Sequence, residues 1–364
     1  MLVRSALWKQ SLEHFDMTPW EYKAVMEDAE KQCVTGLITD CLRRNNMGLQ
    51  KKCVIHMLKL QKALTAENKR INGNLRLLLA LLENKGIRPS VVKGQSIGAF
   101  YPSPELRVPG DIDFFVKEEH FERALQTIEQ EWLGQDADRS RIFKEFHFEY
   151  NGTNMELHKN LLLFSSKKLM RYFTQLAQTS SQSTVKVEDM EVPTLEPTLN
   201  VFYTFCHLYH HFRMEGVAVR QLCDMAILLH AHRDDLDRDR LTEILRKTGY
   251  TNAFKAFGTI LINKIGLPED EFPFAVREKD QKRGQKVLKE ILRSGNWGQY
   301  GRKTHKENLM HTLETGKIEI MNNIRFFWLS PRENFAQLTL NVPFRMKDWV
   351  VRKRLKKKKE QESE

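Results

Sequence analysis

Two aspartates, Asp111 and Asp113, open an apolar run that reads Asp-Ile-Asp-Phe-Phe-Val over residues 111–116. Successive side chains of a strand point to opposite faces, so residues two apart share a face. As a strand, the run turns Ile112, Phe114 and Val116 to one side and holds two carboxylates together on the other. Such a strand needs apolar cover on one face and counter-charge on the other. Adjacent carboxylates repel unless a cation lies between them, and a divalent metal meets that need. Upstream, Lys93-Gly94-Gln95-Ser96 follows a β-branched run and opens a helical segment. That arrangement suits phosphate at a helix N-terminus, with Gly94 allowing close backbone approach, Ser96 offering a hydroxyl and Lys93 a charge. Phosphate binding beside paired carboxylates points to metal-assisted phosphoryl or nucleotidyl transfer.

The flanking sequence divides into four parts. Residues 1–88 read as an N-terminal helical domain, with apolar positions at helical spacing through Met26, Ala29, Cys33, Leu37 and Cys41. Residues 89–195 alternate strand and helix signals: a strand over 90–93, a helix over 95–101, a Pro-rich loop, the Asp strand and a helix over 120–132. Asn151-Gly152 is a two-residue hairpin signal between residues 144–150 and 153–158. A two-residue turn sets Tyr150 across from Thr153, and therefore His147 across from Glu156 and Glu145 across from His158. Phe146, Phe148, Met155 and Leu157 take the other face. A further run over 185–194 adds one or two strands. Residues 196–344 read as a C-terminal helical domain, with helices over 241–267 and 285–294 among others, and 345–364 as a basic, flexible tail.

The chain has 364 residues and a net charge of +11. Residues 345–364 hold nine Lys or Arg against four Asp or Glu, so the excess is partly local. Outside that tail there is no interleaving of basic and aromatic residues of the kind a nucleic-acid groove uses. Nucleic acid is therefore the weaker partner candidate. The longest aliphatic run, residues 77–82, is too short to cross a bilayer, and the first residues lack a secretory pattern. Five scattered cysteines without CxxC spacing read as free thiols, which places the protein in the cytoplasm.

Lys93-Gly94, Tyr101-Pro102, Arg107, Asp111-Ile112-Asp113 and Glu156-Leu157-His158 occur in that order. A helical pair bearing His207, His211, Arg220 and Asp224 follows. In this set the chain resembles an uncharacterised bacterial nucleotidyltransferase-like family within the DNA polymerase β-like superfamily, over about residues 25–270. Two features depart from the superfamily pattern: the loop is Lys-Gly-Gln-Ser where Gly-Ser is usual, and Gly94 stands far upstream of Asp111. The resemblance implies an α+β fold, a palm-like mixed β-sheet flanked by N-terminal and C-terminal helical domains. It implies an enzyme moving a nucleoside monophosphate from an NTP, ATP by preference, to a hydroxyl or phosphate of an unknown acceptor (a small molecule, sugar, peptide or protein), with release of pyrophosphate. Asp111, Asp113 and Glu156 are the implied catalytic residues and ligands of Mg²⁺ or Mn²⁺. Lys93, Gly94, Ser96 and Arg107 are the implied nucleotide-binding residues. Two other readings use the same fold: a non-catalytic nucleotide-sensing protein, and an RNA-end nucleotidyltransferase gripping RNA with its tail.

His207 and His211 stand one helical turn apart, as zinc ligands can, but no HExxH or third ligand accompanies them. They read as packing histidines. Arg220 and Asp224 read as an i, i+4 helix pair.

Overall fold

The structure, a computed structural model, describes residues 1–134, 144–301 and 309–341. The basic tail expected over 345–364 lies outside the described residues.

The chain opens with helices α1 (Leu2–Trp8), α2 (Pro19–Lys31) and α3 (Thr35–Arg44), and with strands β1 (Asp16–Met17) and β2 (Gly48–Leu49), which pair in parallel. Thr18 starts α2 as a capping box. Its hydroxyl accepts from the Glu21 amide while the Glu21 carboxylate accepts from the Thr18 amide, and Pro19 fills the first turn. Helix α4 (Lys51–Glu83) has 33 residues, a length of about 50 Å at 1.5 Å per residue. Its second half buries Ile71, Leu75, Leu78, Leu79 and Leu82, spaced so as to form one apolar stripe. The asparagines of that half tie down irregular chain. Asn68 Nδ2 donates to the carbonyls of Glu105 and Arg107, and Asn74 Nδ2 donates to Thr153 Oγ1 at 2.6 Å.

Next come β3 (Ser90–Val92), α5 (Gly94–Gly98), β4 (Ile112–Phe115), α6 (Glu118–Ile128), β5 (Glu145–Tyr150) and β6 (Thr153–His158). The four strands form one mixed sheet in the order β3-β4-β6-β5, with β4 and β6 parallel and the other pairs antiparallel. The hairpin has the register that the Asn-Gly turn dictates: Tyr150 opposes Thr153, His147 opposes Glu156 and Glu145 opposes His158. Asn151 takes the left-handed conformation such a turn needs at its first position, and Gly152 at its second. Helix α5 is shorter than the expected 95–101 segment, only five residues.

After α7 (Lys167–Thr179), strands β7 (Gln182–Val187) and β8 (Met190–Leu195) form a hairpin that is a separate two-stranded sheet. Helices α8 (Pro197–Met214), α9 (Val219–Ala231), α10 (Arg238–Thr248), α11 (Thr251–Ile260), α12 (Glu278–Ser294), α13 (Leu309–Arg325) and α14 (Pro331–Ala336) complete the described chain. The single helix expected over 241–267 is two. Gly249 adopts φ 78° as a left-handed C-cap and ends α10, which a residue with a Cβ would do only under strain. Helix α12 begins earlier than the expected residue 285, because its first turns are charged and carry little apolar periodicity.

The fold is mixed α and β, mostly helical, with small sheets. Two buried clusters hold it. One lies under the sheet, where Ile112, Phe114, Phe148, Met155 and Leu157 meet the second half of α4 and the α6 residues Phe121, Leu125 and Ile128. The other joins α1–α3 to α8–α12 and takes in Phe115 from the opposite face of β4. Strand β4 is thus covered on both sides, and Asp113 is only 2 % exposed.

Candidate active site

Register builds the site. Strands β4 and β6 run parallel with Asp113 beside Glu156 and Phe115 beside His158. Neighbouring strands lie about 4.8 Å apart, so side chains at paired positions touch on a shared face. Asp113, Glu156 and His158 therefore converge. Their ligand atoms all lie within 4.8 Å of one another, the one such group of three among the described residues. His158 Nε2 is 2.8 Å from Asp113 Oδ1 and 3.6 Å from Glu156 Oε2. His158 is fully buried, and its Nδ1 sits 3.1 Å from Glu145 Oε2, close but not aligned as a hydrogen bond. His147 Nδ1 lies 3.1 Å from Glu156 Oε1, and Lys144 Nζ lies 2.6 Å from Glu145 Oε2.

Lys93 approaches from the turn between β3 and α5. Its backbone holds φ 56° and ψ −147°, a conformation rare for a residue with a Cβ, and Gly94 continues the turn at φ 39°. Strain of this kind persists only where surrounding contacts enforce it. Here the contact is ionic: Lys93 Nζ lies 2.6 Å from Asp113 Oδ1 and 3.0 Å from His207 Nε2 on α8. A Cβ on Gly94 would stand 3.1 Å from the Asp111 carbonyl oxygen, so this turn fits tightly against the start of β4.

All of these groups except the buried His158 line a cleft of about 280 Å³ between the sheet and helices α8 and α9. Lys93, Gly94, Asp111, Asp113, Glu156 and Arg107 all reach it. Ser96 does not line it: its hydroxyl donates to the Lys93 carbonyl at 2.8 Å and closes the turn. With one helical turn behind it, α5 also lacks the length for an effective helix dipole. Asp111 borders the cleft but stands outside the close Asp113–Glu156–His158 group.

Arg107 is engaged by another lining residue of the cleft. Its Nε and Nη2 each donate to Asp224 at 2.8 Å, the Tyr101 hydroxyl donates to the same carboxylate at 2.6 Å, and the guanidinium is 5 % exposed. Arg107, one of the residues implied to bind nucleotide, thus turns its fork to a carboxylate of α9 at the cleft wall. Arg220 does not pair with Asp224 as an i, i+4 neighbour; its Nη1 donates to the carbonyls of Val108 and Pro109. Together these contacts fasten the loop ahead of Asp111 to α9.

The charges are mutually dependent. Burial alone would raise the Asp113 carboxyl, but the Lys93 charge and the His158 hydrogen bond outweigh it and hold the group below the usual carboxylate range. Glu156 moves the other way: burial and the adjacent Asp113 charge push it up to about 9. At neutral pH one proton therefore stays with this carboxyl pair. Burial opposes ionisation of Glu145 too, but His158 and Lys144 bring it down to about 2. Burial, reinforced by the Lys93 charge, keeps His207 well below the ordinary histidine value and so neutral.

Several cleft groups carry no motif of their own, or one that does not by itself say what they face. Glu145 and Lys144 arrive with the hairpin edge. Thr204, His207 and His211 form a stripe at helical spacing along α8. Tyr203, also on α8, is wholly buried, and its hydroxyl makes no hydrogen bond. Helical spacing is a legible signal, but it marks a buried face without saying what the face meets.

A family model described as an uncharacterised nucleotidyltransferase matches residues 19–263. No curated protein matches the chain. Among solved structures, an antigenic nucleotidyltransferase-like protein from Paracoccidioides brasiliensis is similar at 10% identity and a TM-score of 0.34, over 59% of this chain and 97% of that one. Among the described residues, no helix is long and apolar enough to cross a membrane.

Proposed function

The chain belongs to the uncharacterised nucleotidyltransferase family, and on that premise we propose that it transfers a nucleoside monophosphate from an NTP to a hydroxyl or phosphate of an acceptor, releasing pyrophosphate. The observation that carries this reading is the meeting of Asp113 and Glu156 at the cleft that the Lys93-Gly94 turn also borders, with the buried His158 against both carboxylates from beneath. In the proposal, residues 89–195 are a palm-like core of the DNA polymerase β-like kind, flanked by helical domains over 1–88 and 196–344. ATP is the preferred donor, and the cytoplasm is the site of action, in keeping with five free cysteines.

The donor set fits a divalent cation. Two carboxylates and an imidazole converge, and burial together with the neighbouring Asp113 charge raises the Glu156 carboxyl. Asp113, Glu156 and His158 would hold the ion, with Asp111 at the cleft margin. Magnesium or manganese bound there would supply charge neutralisation of the triphosphate and activation of the acceptor oxygen. Glu145 faces the far nitrogen of His158 at 3.1 Å, a carboxylate beside the imidazole on the side away from the ion. Lys93 already carries positive charge to Asp113, and once relieved of that partner its ammonium can turn to nucleotide phosphate. Gly94 keeps the backbone low enough for phosphate to approach. In the transfer, the acceptor oxygen bonds to the α-phosphorus, the bond from that phosphorus to the bridging oxygen breaks, and the acceptor proton leaves through Glu156 or water.

Titrating each of the four NTPs with Mg²⁺ and with Mn²⁺ by calorimetry tests this. The wild type is expected to bind at least one NTP only with metal, and Asp111→Asn/Asp113→Asn to lose that binding. Failure to bind any NTP, or binding indifferent to the two aspartates, rejects the transferase reading.

Glu156 gives a sharper prediction. Because burial and the Asp113 charge raise this carboxyl, metal binding is expected to release a proton from it, and affinity to rise with pH. Calorimetry in buffers of different ionisation enthalpy reads that proton. The folded state raises this carboxyl above its unfolded value of 4.5, so the stability it contributes is complete below that pH and drains as pH climbs toward about 9. Glu156→Gln mimics the protonated form. In chelator it should melt no lower than wild type, with a margin that widens from pH 5 to 9, while metal-dependent NTP binding disappears.

A further inference from the structure

We propose that His207 and His211 form a binding site for a zinc-type transition metal on the α8 wall of the cleft, distinct from the carboxylate site and independent of the transferase reading.

The two rings do not pack as spacers. Both residues line the cleft, and their Nε2 atoms face each other 3.0 Å apart. Two imidazole nitrogens on one tetrahedral zinc, each about 2.0–2.1 Å from the ion, are themselves about 3.3 Å apart. The pair is therefore nearly set for chelation with only a small adjustment. Behind it, His211 Nδ1 lies 3.2 Å from Glu215 Oε2. A carboxylate on the far nitrogen fixes the tautomer that leaves Nε2 as the ligand atom, the usual outer support of a metal-bound histidine.

The hydrogen bonding around His207 admits the same ion. A neutral imidazole nitrogen has one lone pair or one proton, never two acceptor positions. His207 Nε2 has two neighbours at 3.0 Å, Lys93 Nζ and His211 Nε2. Lys93 is a donor only. If His211 gives its Nδ1 proton to Glu215 and is neutral while His207 accepts from Lys93, two lone pairs confront each other. If His211 carries a second proton, two donors compete for one lone pair. Without an ion, the pair is satisfied in the one tautomer that puts the His207 proton on Nε2, donating to His211 Nε2; a metal ion between the rings satisfies it as well, taking both lone pairs, and in either case Lys93 keeps Asp113, already 2.6 Å away.

The chemistry selects the ion. Imidazole suits zinc, nickel and cobalt, whereas magnesium takes oxygen donors. With two protein ligands, the remaining positions open to the cleft, where a substrate oxygen can complete the coordination.

The test uses the full chain, with Zn²⁺ or Co²⁺ alone as probe. Wild type is expected to take up two ions, one of them at the Asp113–Glu156–His158 group, and Asp113→Asn/Glu156→Gln only the one held by the α8 pair; cobalt should give the visible spectrum of a nitrogen-ligated site in both. His207→Ala and His211→Ala should each lose one of the two ions, and Glu215→Gln should weaken that ion about 10–100-fold as an outer-support change. X-ray absorption of the zinc-loaded wild type should show more than one imidazole per ion on average, which the carboxylate group with its single histidine cannot give, a reading that does not depend on any variant folding. Uptake unchanged in the histidine variants, all uptake lost with the carboxylates, or no uptake at all would overturn the site. None of those outcomes bears on NTP binding, which the magnesium titrations read separately.

Discussion

Asp113→Asn is expected to abolish metal-dependent NTP binding and to lower NTP-dependent pyrophosphate release by at least about 10³-fold, the equivalent of about 4 kcal/mol of lost transition-state stabilisation. It should also do what Glu156→Gln does not, and lower stability. Asp113 is buried, accepts from His158 and faces Lys93 at 2.6 Å. An asparagine still offers an oxygen but no charge, and a buried ion pair broken from one side costs about 3–5 kcal/mol because the remaining charge is stranded. Lys93 keeps a little solvent contact, 14 % of its side chain, so the lower end is expected. The pH dependence has a definite sign. The folded protein depresses this carboxyl below its model-compound value of 3.8, so its contribution is full at neutral pH and is lost as acid protonates it. Denaturant melts of wild type and variant should differ most at neutral pH and converge on acidification. Equal stability at pH 7 would show that the Lys93 contact contributes nothing. Unchanged pyrophosphate release would remove Asp113 from the chemistry.

The contrast between these two carboxyls shows how far the sequence alone reaches. The Asn151-Gly152 turn fixes the hairpin register residue by residue, and Glu156 facing His147 was legible from it. The alternation in 111–116 likewise identifies which face of β4 carries the aspartates. Neither statement says that β6 lies beside β4. That pairing is parallel and non-local, and no short-range pattern encodes it, yet it brings Glu156 and His158 to Asp113. In the fold the Asp face borders the cleft and also lies under α8, which buries Asp113, while Lys93 sets its charge against it. The histidines of α8 show the same limit from the other side. Their spacing was plain, but whether the rings meet core or cleft depends on which helix face lies over the sheet. The contribution of α1–α3 to the same buried cluster as α8–α12 is again a matter of long-range contacts.

The largest purely structural effect is expected at Arg107. Its guanidinium reaches Asp224 through two 2.8 Å hydrogen bonds with almost no solvent contact on either side, and Tyr101 adds a third bond to that carboxylate. Burial opposes both charges, yet their mutual attraction keeps Arg107 protonated and holds Asp224 below the usual carboxylate range. Arg107→Met or Asp224→Leu alone leaves the opposite charge buried without a partner and should cost about 3–5 kcal/mol, whereas the double replacement should recover most of that because two apolar side chains need no counter-charge. A denaturant double-mutant cycle measures the difference as a coupling energy, and additive losses would mean that the pair is not coupled. The same series separates anchoring from phosphate binding. An anchor acts through the loop that leads into Asp111, a loop that Arg220 and Asn68 also hold by its carbonyls. The double variant should then keep NTP affinity within a few fold while its thermal stability recovers. If the stable double variant instead loses NTP binding outright, Arg107 reaches the phosphates after all, and the ion pair with Asp224 must open for nucleotide to enter.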